Sequence, residues 1–119
     1  MKIKRGQIYL VDFGKKYQSE LGKVRPALIV QSDYVNDNID VAPFKSVLVI
    51  PLTTDIKGGR FRLSIESREK LEKKSELIIN WMCTVDIQRI VNKTVLTTLT
   101  KNEWELLKPK LDFFMGFLD

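Results

Sequence analysis

The 119 residues include no histidine and a single cysteine, Cys83. The first absence removes the commonest acid–base side chain and the commonest metal ligand. A lone cysteine excludes an internal disulfide framework, and without histidine it cannot form a Cys–His nucleophile. Zinc chemistry and the usual nucleophile triads are therefore excluded. Long apolar runs are also missing: Ala27–Val30 and Val47–Leu52 fall far short of the roughly 20 residues a membrane span requires. No apolar signal-peptide core follows the opening Met-Lys-Ile-Lys-Arg, so a cytoplasmic protein with no membrane association is expected. Repeats, low-complexity tracts and Pro/Gly/Ser linkers are absent too, and one domain over residues 1–119 is expected.

What is present is a soluble, basic composition, with 44% hydrophobic and 29% charged residues and a formal net charge of +5. The positive excess is concentrated early. Residues 1–26 carry Lys2, Lys4, Arg5, Lys15, Lys16, Lys23 and Arg25 against only Asp12 and Glu20. Such a cluster can attract a polyanion or an acidic partner; a merely solvated basic surface is the plainer reading.

Hydrophobic patterning is dominated by short strands. Gln7–Phe13 alternates loosely, and Gly14–Val24 reads as an exposed loop. Arg25–Gln31 and Ser46–Leu52 are apolar on both faces, as central strands are, with the polar loop Ser32–Lys45 between them. After the Gly58-Gly59 turn, Arg60–Ile65 alternates with Arg60 and Arg62 on its outer face. Ser67–Lys74 suggests one or two helical turns. Glu76–Val85 reads as a fifth strand that Ile87–Val91 continues, and Val95–Leu99 as a short extra one. Thr100 and Glu103 form a capping box. Trp104, Leu107, Leu111, Phe114, Met115 and Leu118 then mark one buried helical stripe, with Pro109 expected to kink or split the helix near Leu107. The connections are too short for parallel crossovers. The expectation is mainly β (α+β): a small, curled antiparallel sheet closed by a C-terminal helix.

Four segments go further: Lys4–Phe13 (KRGQIYLVDF), Ser19–Val30 (SELGKVRPALIV), Val49–Thr54 (VIPLTT) and Thr84–Ile90 (TVDIQRI). In this order and at these spacings they resemble the MazF/PemK family of toxin endoribonucleases from bacterial toxin–antitoxin pairs. The resemblance implies an SH3-like barrel with a C-terminal helix, usually homodimeric. It implies sequence-specific, metal-independent cleavage of single-stranded RNA, with no cofactor, leaving a 2′,3′-cyclic phosphate and a 5′-hydroxyl. It also implies a separate antitoxin partner whose extended acidic segment covers the RNA site.

In such a cleavage the ribose 2′-hydroxyl attacks the adjacent phosphorus, so the protein supplies orientation, proton transfer and charge stabilisation. Arg25 matches the family's arginine, and its fork can hold two phosphate oxygens. Thr53 matches the family's threonine, with Thr54 as the alternative because strand neighbours point opposite ways. Glu20 matches a carboxylate that could accept the 2′-hydroxyl proton or hold Arg25; a solvated loop glutamate is the plainer alternative. Ser19, Gly22 and Lys23 are further candidate substrate contacts. Before the Thr-x-Asp segment many relatives carry an arginine, whereas this chain reads Asn80-Trp81-Met82-Cys83. Asn80 can read a base edge, and Trp81 can either stack on a base or pack in the core or dimer interface. A different class of activity shares the barrel: the CcdB-like toxins poison DNA gyrase by protein contact, and Trp104 with Phe113 and Phe114 would be the aromatic residues for that reading.

Overall fold

The computed structural model describes residues 2–15 and 22–117. Among them seven strands run β1 Gln7–Asp12, β2 Val24–Ile29, β3 Ser46–Thr53, β4 Arg62–Ile65, β5 Ser75–Ile78, β6 Cys83–Asp86 and β7 Thr97–Thr98. All of their pairings are antiparallel, in the order β4-β5-β3-β2-β1-β7, with β6 also on β3. The sheet curls into a partly closed barrel with a C-terminal helix, as the patterning implied. No helix described is long and apolar enough to cross a membrane.

The central strands are apolar on both faces because each face meets a different core. Ile8, Leu28, Ile50 and Leu52 pack with Leu77, Ile79 and Leu107, while Tyr9, Val11, Ala27, Ile29 and Val49 pack with Val85 and Ile90 on the other side. Cys83 joins the second cluster from β6, and burial pushes its thiol pKa up, away from the reactive thiolate.

Several elements depart from the patterning. The stretch Glu76–Val85 is not one strand: a 3-10 turn at Ile79–Trp81 separates β5 from β6. The register against β3 slips by three residues between the two, the length of that turn. Ile79 remains buried inside the turn, so the apolar run is unbroken although the strand is not. Within the expected loop 32–45, Ser32 caps a short helix α1, Asp33–Asp37, by accepting from Val35 N–H, and a 3-10 turn follows at Ile39–Val41. The segment Ser67–Lys74 contains no helix. Arg68 and Leu71 exchange backbone hydrogen bonds around Glu69, which takes a left-handed φ of 49°.

The second helix, α2 Lys101–Met115, begins at the expected capping box. Pro109 lies inside it without splitting it. A proline there removes only one backbone donor, and the other turns continue through it. Of the predicted stripe, Leu107 is fully buried and Trp104 and Leu111 are partly so. Phe114 and Met115 are exposed, where this end of the helix packs against Phe61 and Arg60; Leu118 lies outside the described residues.

Candidate active site

The start of β2 and the end of β3 form the walls of an open cleft of about 750 Å³. Strands β2 and β3 pair Ala27 with Pro51 and Leu28 with Ile50. The pairing ends there; Arg25 lies two residues before Ala27 and Thr53 two after Pro51, and both line the cleft. Proline suits position 26, at the start of a strand, where one fewer ladder donor is needed.

Arg25 is half-buried, and its Nε donates to the Gly22 carbonyl at 3.3 Å. Among the described residues no carboxylate forms an ion pair with it. Desolvation lowers its pKa from the ordinary guanidinium value, which makes an incoming anion a favourable partner. Lys23 takes a left-handed φ of 59°; its N–H donates to the Gly14 carbonyl at 2.6 Å, which ties the two ends of the preceding loop together.

Thr53 is half-buried, and its hydroxyl oxygen accepts from Asp55 N–H at 3.1 Å. With that oxygen engaged as an acceptor, the hydroxyl proton is available to donate outward. Thr54 also lines the cleft, contrary to the expectation that only one of the two threonines would. Strand β3 ends at Thr53, so the two-residue alternation no longer governs Thr54.

The far wall is made by Lys57, Arg62, Ser75, Ile78 and Trp81. Trp81 reaches it from the 3-10 turn between β5 and β6 and is only partly buried. Asn80, its neighbour, is exposed and is not among the lining residues. Arg62 does not sit on a free outer face. Its Nη1 donates to Glu76 Oε1 at 3.0 Å and to the Asp55 carbonyl at 3.1 Å. Glu76 is 3% exposed and also accepts from the N–H groups of Lys57 and Gly58. Burial alone would raise its pKa, but these donors and Arg62 hold it below the ordinary carboxylate range. Among the described residues the cleft is lined by Lys23, Arg25, Lys57 and Arg62 and by one acid, Asp55. Arg62 is paired with Glu76 and Lys57 with Asp55, which leaves Lys23 and Arg25 as the cations without an ion pair and a field suited to a polyanion.

Comparison with known proteins identifies the family. Residues 4–115 match the family described as "PemK-like, MazF-like toxin of type II toxin-antitoxin system". The chain belongs to that family. Among curated relatives, the endoribonuclease MazF of Staphylococcus epidermidis is 31% identical over 96% of this chain and 92% of its own length. Endoribonuclease EndoA of Bacillus subtilis is 27% identical over 100% of this chain and 99% of its own. The MazF crystal structure from Deinococcus radiodurans superposes with a TM-score of 0.76, covering 98% of each chain at 16% identity. A mycobacterial endoribonuclease, solved in complex with its cognate antitoxin, gives 0.73 at 18% identity, over 96% of this chain and 95% of its own. These last two likenesses concern the fold. The gyrase-poison reading is not favoured by matches that are to MazF-like proteins.

In this MazF-like chain the cleft brings together Gly22, Lys23, Arg25, Thr53, Thr54 and Trp81 from the sequence-derived candidates. Ser19 and Glu20 lie outside the described residues. Sequence reasoning missed Arg62 as a member of the wall and Glu76 as the buried carboxylate that holds it. The available signal was Glu76 itself, a charge in the otherwise apolar run Leu77-Ile78-Ile79, which requires a buried counter-charge.

Proposed function

We propose that this chain is a toxin endoribonuclease that cuts single-stranded RNA, using the substrate's own 2′-hydroxyl and no metal. The observation that carries the reading is Arg25. Its guanidinium faces the open cleft that Thr53 also lines, with no ion-pair partner among the described residues. A half-buried arginine with no carboxylate on it among the described residues can receive an anion from outside, and a phosphodiester fits its two-pronged donor geometry.

In the proposed reaction the 2′-oxygen bonds to phosphorus and the bond from phosphorus to the 5′-oxygen breaks. The products are a 2′,3′-cyclic phosphate and a 5′-hydroxyl. Arg25 holds two non-bridging oxygens as negative charge builds on them, and Thr53 donates its hydroxyl proton to one of them. Arg25 acts first as this stabiliser, and only second as the acid that protonates the leaving 5′-oxygen; it does not serve as the base, since almost none of it is neutral guanidine at about pH 7. Glu20 is the family-matched acceptor for the 2′-hydroxyl proton. Lys23 and Lys57 draw the backbone in, Gly22, Ser19 and Thr54 supply further contacts, Asn80 reads a base edge, and Trp81 offers a face on which an unpaired base can stack.

The partners follow from the same cleft. A separate antitoxin with an extended acidic segment would compete with RNA for the basic walls. A homodimer and a cytoplasmic location complete the reading. The test is cleavage of a mixed RNA pool by purified protein in excess EDTA, with the ends sequenced and tested for cyclic phosphate. Arg25→Ala should slow cleavage by about 10²–10³-fold, the loss typical of one transition-state donor. Full activity in that variant, or loss of wild-type activity in EDTA, would overturn the proposal.

A further inference from the structure

The Thr53 hydroxyl is useful only if its proton points into the cleft, and the structure contains a short relay that sets this direction. Asp55 N–H donates to Thr53 Oγ1 at 3.1 Å, so the orientation of the Asp55 backbone determines where the hydroxyl proton can go. The Asp55 carbonyl is in turn held by Arg62 Nη1 at 3.1 Å, and the same nitrogen is anchored on Glu76 at 3.0 Å. Glu76 also gathers Lys57 N–H and Gly58 N–H, so its carboxylate grips the segment after Thr53 at two places directly and at a third, the Asp55 carbonyl, through Arg62.

This segment has little else to hold it. Residues 54–59 are all exposed, and the hydrogen bonds described for 54–58 run only to Thr53, Arg62 or Glu76. Glu76 stands opposite Thr53 in the pairing of β3 with β5, so the clamp and the hydroxyl it serves are cross-strand neighbours. A carboxylate so withdrawn from water is expensive in a strand that an apolar residue would fill more cheaply. Its bonds converge on the cleft wall and not on the core.

We infer that Glu76 and Arg62 are positioning residues that aim the Thr53 hydroxyl at the phosphate, an inference that rests on the reading of Thr53 given above. Neither needs to touch the scissile group. Glu76 fixes Arg62, Arg62 holds the carbonyl that follows the Asp55 Cα, and the N–H that precedes the same Cα sets the rotor of Thr53.

A double-mutant cycle separates this from a purely structural role. Wild type, Glu76→Gln, Thr53→Val and the double variant are compared on one RNA oligonucleotide in single turnover with excess protein. Glu76→Gln should lower the saturating cleavage rate by about 10–100-fold, the usual cost of removing an outer orienting partner, with the half-saturating concentration little changed. In the Thr53→Val background, where no hydroxyl remains to aim, the same substitution should have almost no further effect. An equal fold-loss in both backgrounds, or an unchanged rate in Glu76→Gln, would overturn the inference while leaving Thr53 in place. Full activity in Thr53→Val would instead refute the role given to Thr53. Should Glu76→Gln fail to melt cooperatively, Arg62→Lys keeps the charge but, with a shorter reach, draws back the one nitrogen that serves both Glu76 and the Asp55 carbonyl, and the same cycle is run on it with the same two outcomes.

Discussion

Arg68 and Glu103, thirty-five residues apart in the chain, meet in a two-pronged ion pair, Nη1 to Oε2 at 2.9 Å and Nη2 to Oε1 at 2.7 Å. The same Glu103 oxygen that receives Nη2 also accepts from Thr100 N–H, completing the capping box of α2. Arg68 donates as well to Thr97 Oγ1 and the Thr98 carbonyl. One carboxylate therefore starts the helix and fastens it to β7 and to the turn at Arg68.

Glu103→Ala removes both functions at once and leaves a guanidinium that is only 24% exposed without its counter-charge. The expected loss is about 2–3 kcal/mol, combining a helix cap with charged hydrogen bonds. Thermal unfolding should register it as a fall in Tm of about 10 °C. Glu103 does not line the cleft, so the cleavage rate per folded molecule should stay at the wild-type value.

Acid should loosen the same contacts. Burial pushes the carboxyls of Glu76 and Glu103 up, yet the hydrogen bonds from Lys57, Gly58 and Arg62 to the first, and from Arg68 and Thr100 to the second, hold both below the ordinary range. The unfolded chain then binds more protons than the folded one, so stability rises with pH across this window. The contribution is complete above the unfolded carboxylate value of about 4.3 and is lost as pH falls through the depressed folded values. Urea unfolding between pH 3 and 7, as an experimental range set by those carboxylate values, should show Glu76→Gln with a flatter acid limb than wild type. A parallel limb would contradict the depressed value.

Trp81 offers a test of substrate grip separate from chemistry. If its ring stacks on an unpaired base, Trp81→Ala should raise KM by about 5–150-fold, equivalent to about 1–3 kcal/mol, with kcat little altered. Trp81→Phe should recover most of the loss, since a smaller aromatic face remains. A fall confined to kcat would assign the ring to packing instead.

Pro109 sits exposed in mid-helix, where it withholds a donor from the carbonyl four residues earlier. Pro109→Ala should restore that bond and stabilise the fold by about 1–2 kcal/mol, after subtracting the chain entropy that proline removes from the unfolded state. Denaturant midpoints would measure it, and a neutral or destabilising result would mean that the proline ring itself supports the helix.

Local order along the chain was enough for the strand cores, the capping box at Thr100 and Glu103, and a strand start at Arg25-Pro26. Each of these depends on neighbours within a few residues: alternation, a cap three positions away, a proline at a strand margin. Arg25 and Thr53 were singled out on another ground, the resemblance of their segments to the family's motifs. The break at Ile79–Trp81 left no such trace, because Ile79 stays buried through the turn and the apolar pattern runs on. Arg62 likewise alternates as an outward residue of β4, yet the curl of the sheet turns that face toward the cleft and onto Glu76. Register and curvature are set by contacts between segments far apart in the chain, and no single segment encodes them. The amino-acid order by itself determined which groups can do chemistry here; the tertiary structure alone decided which of them share a wall.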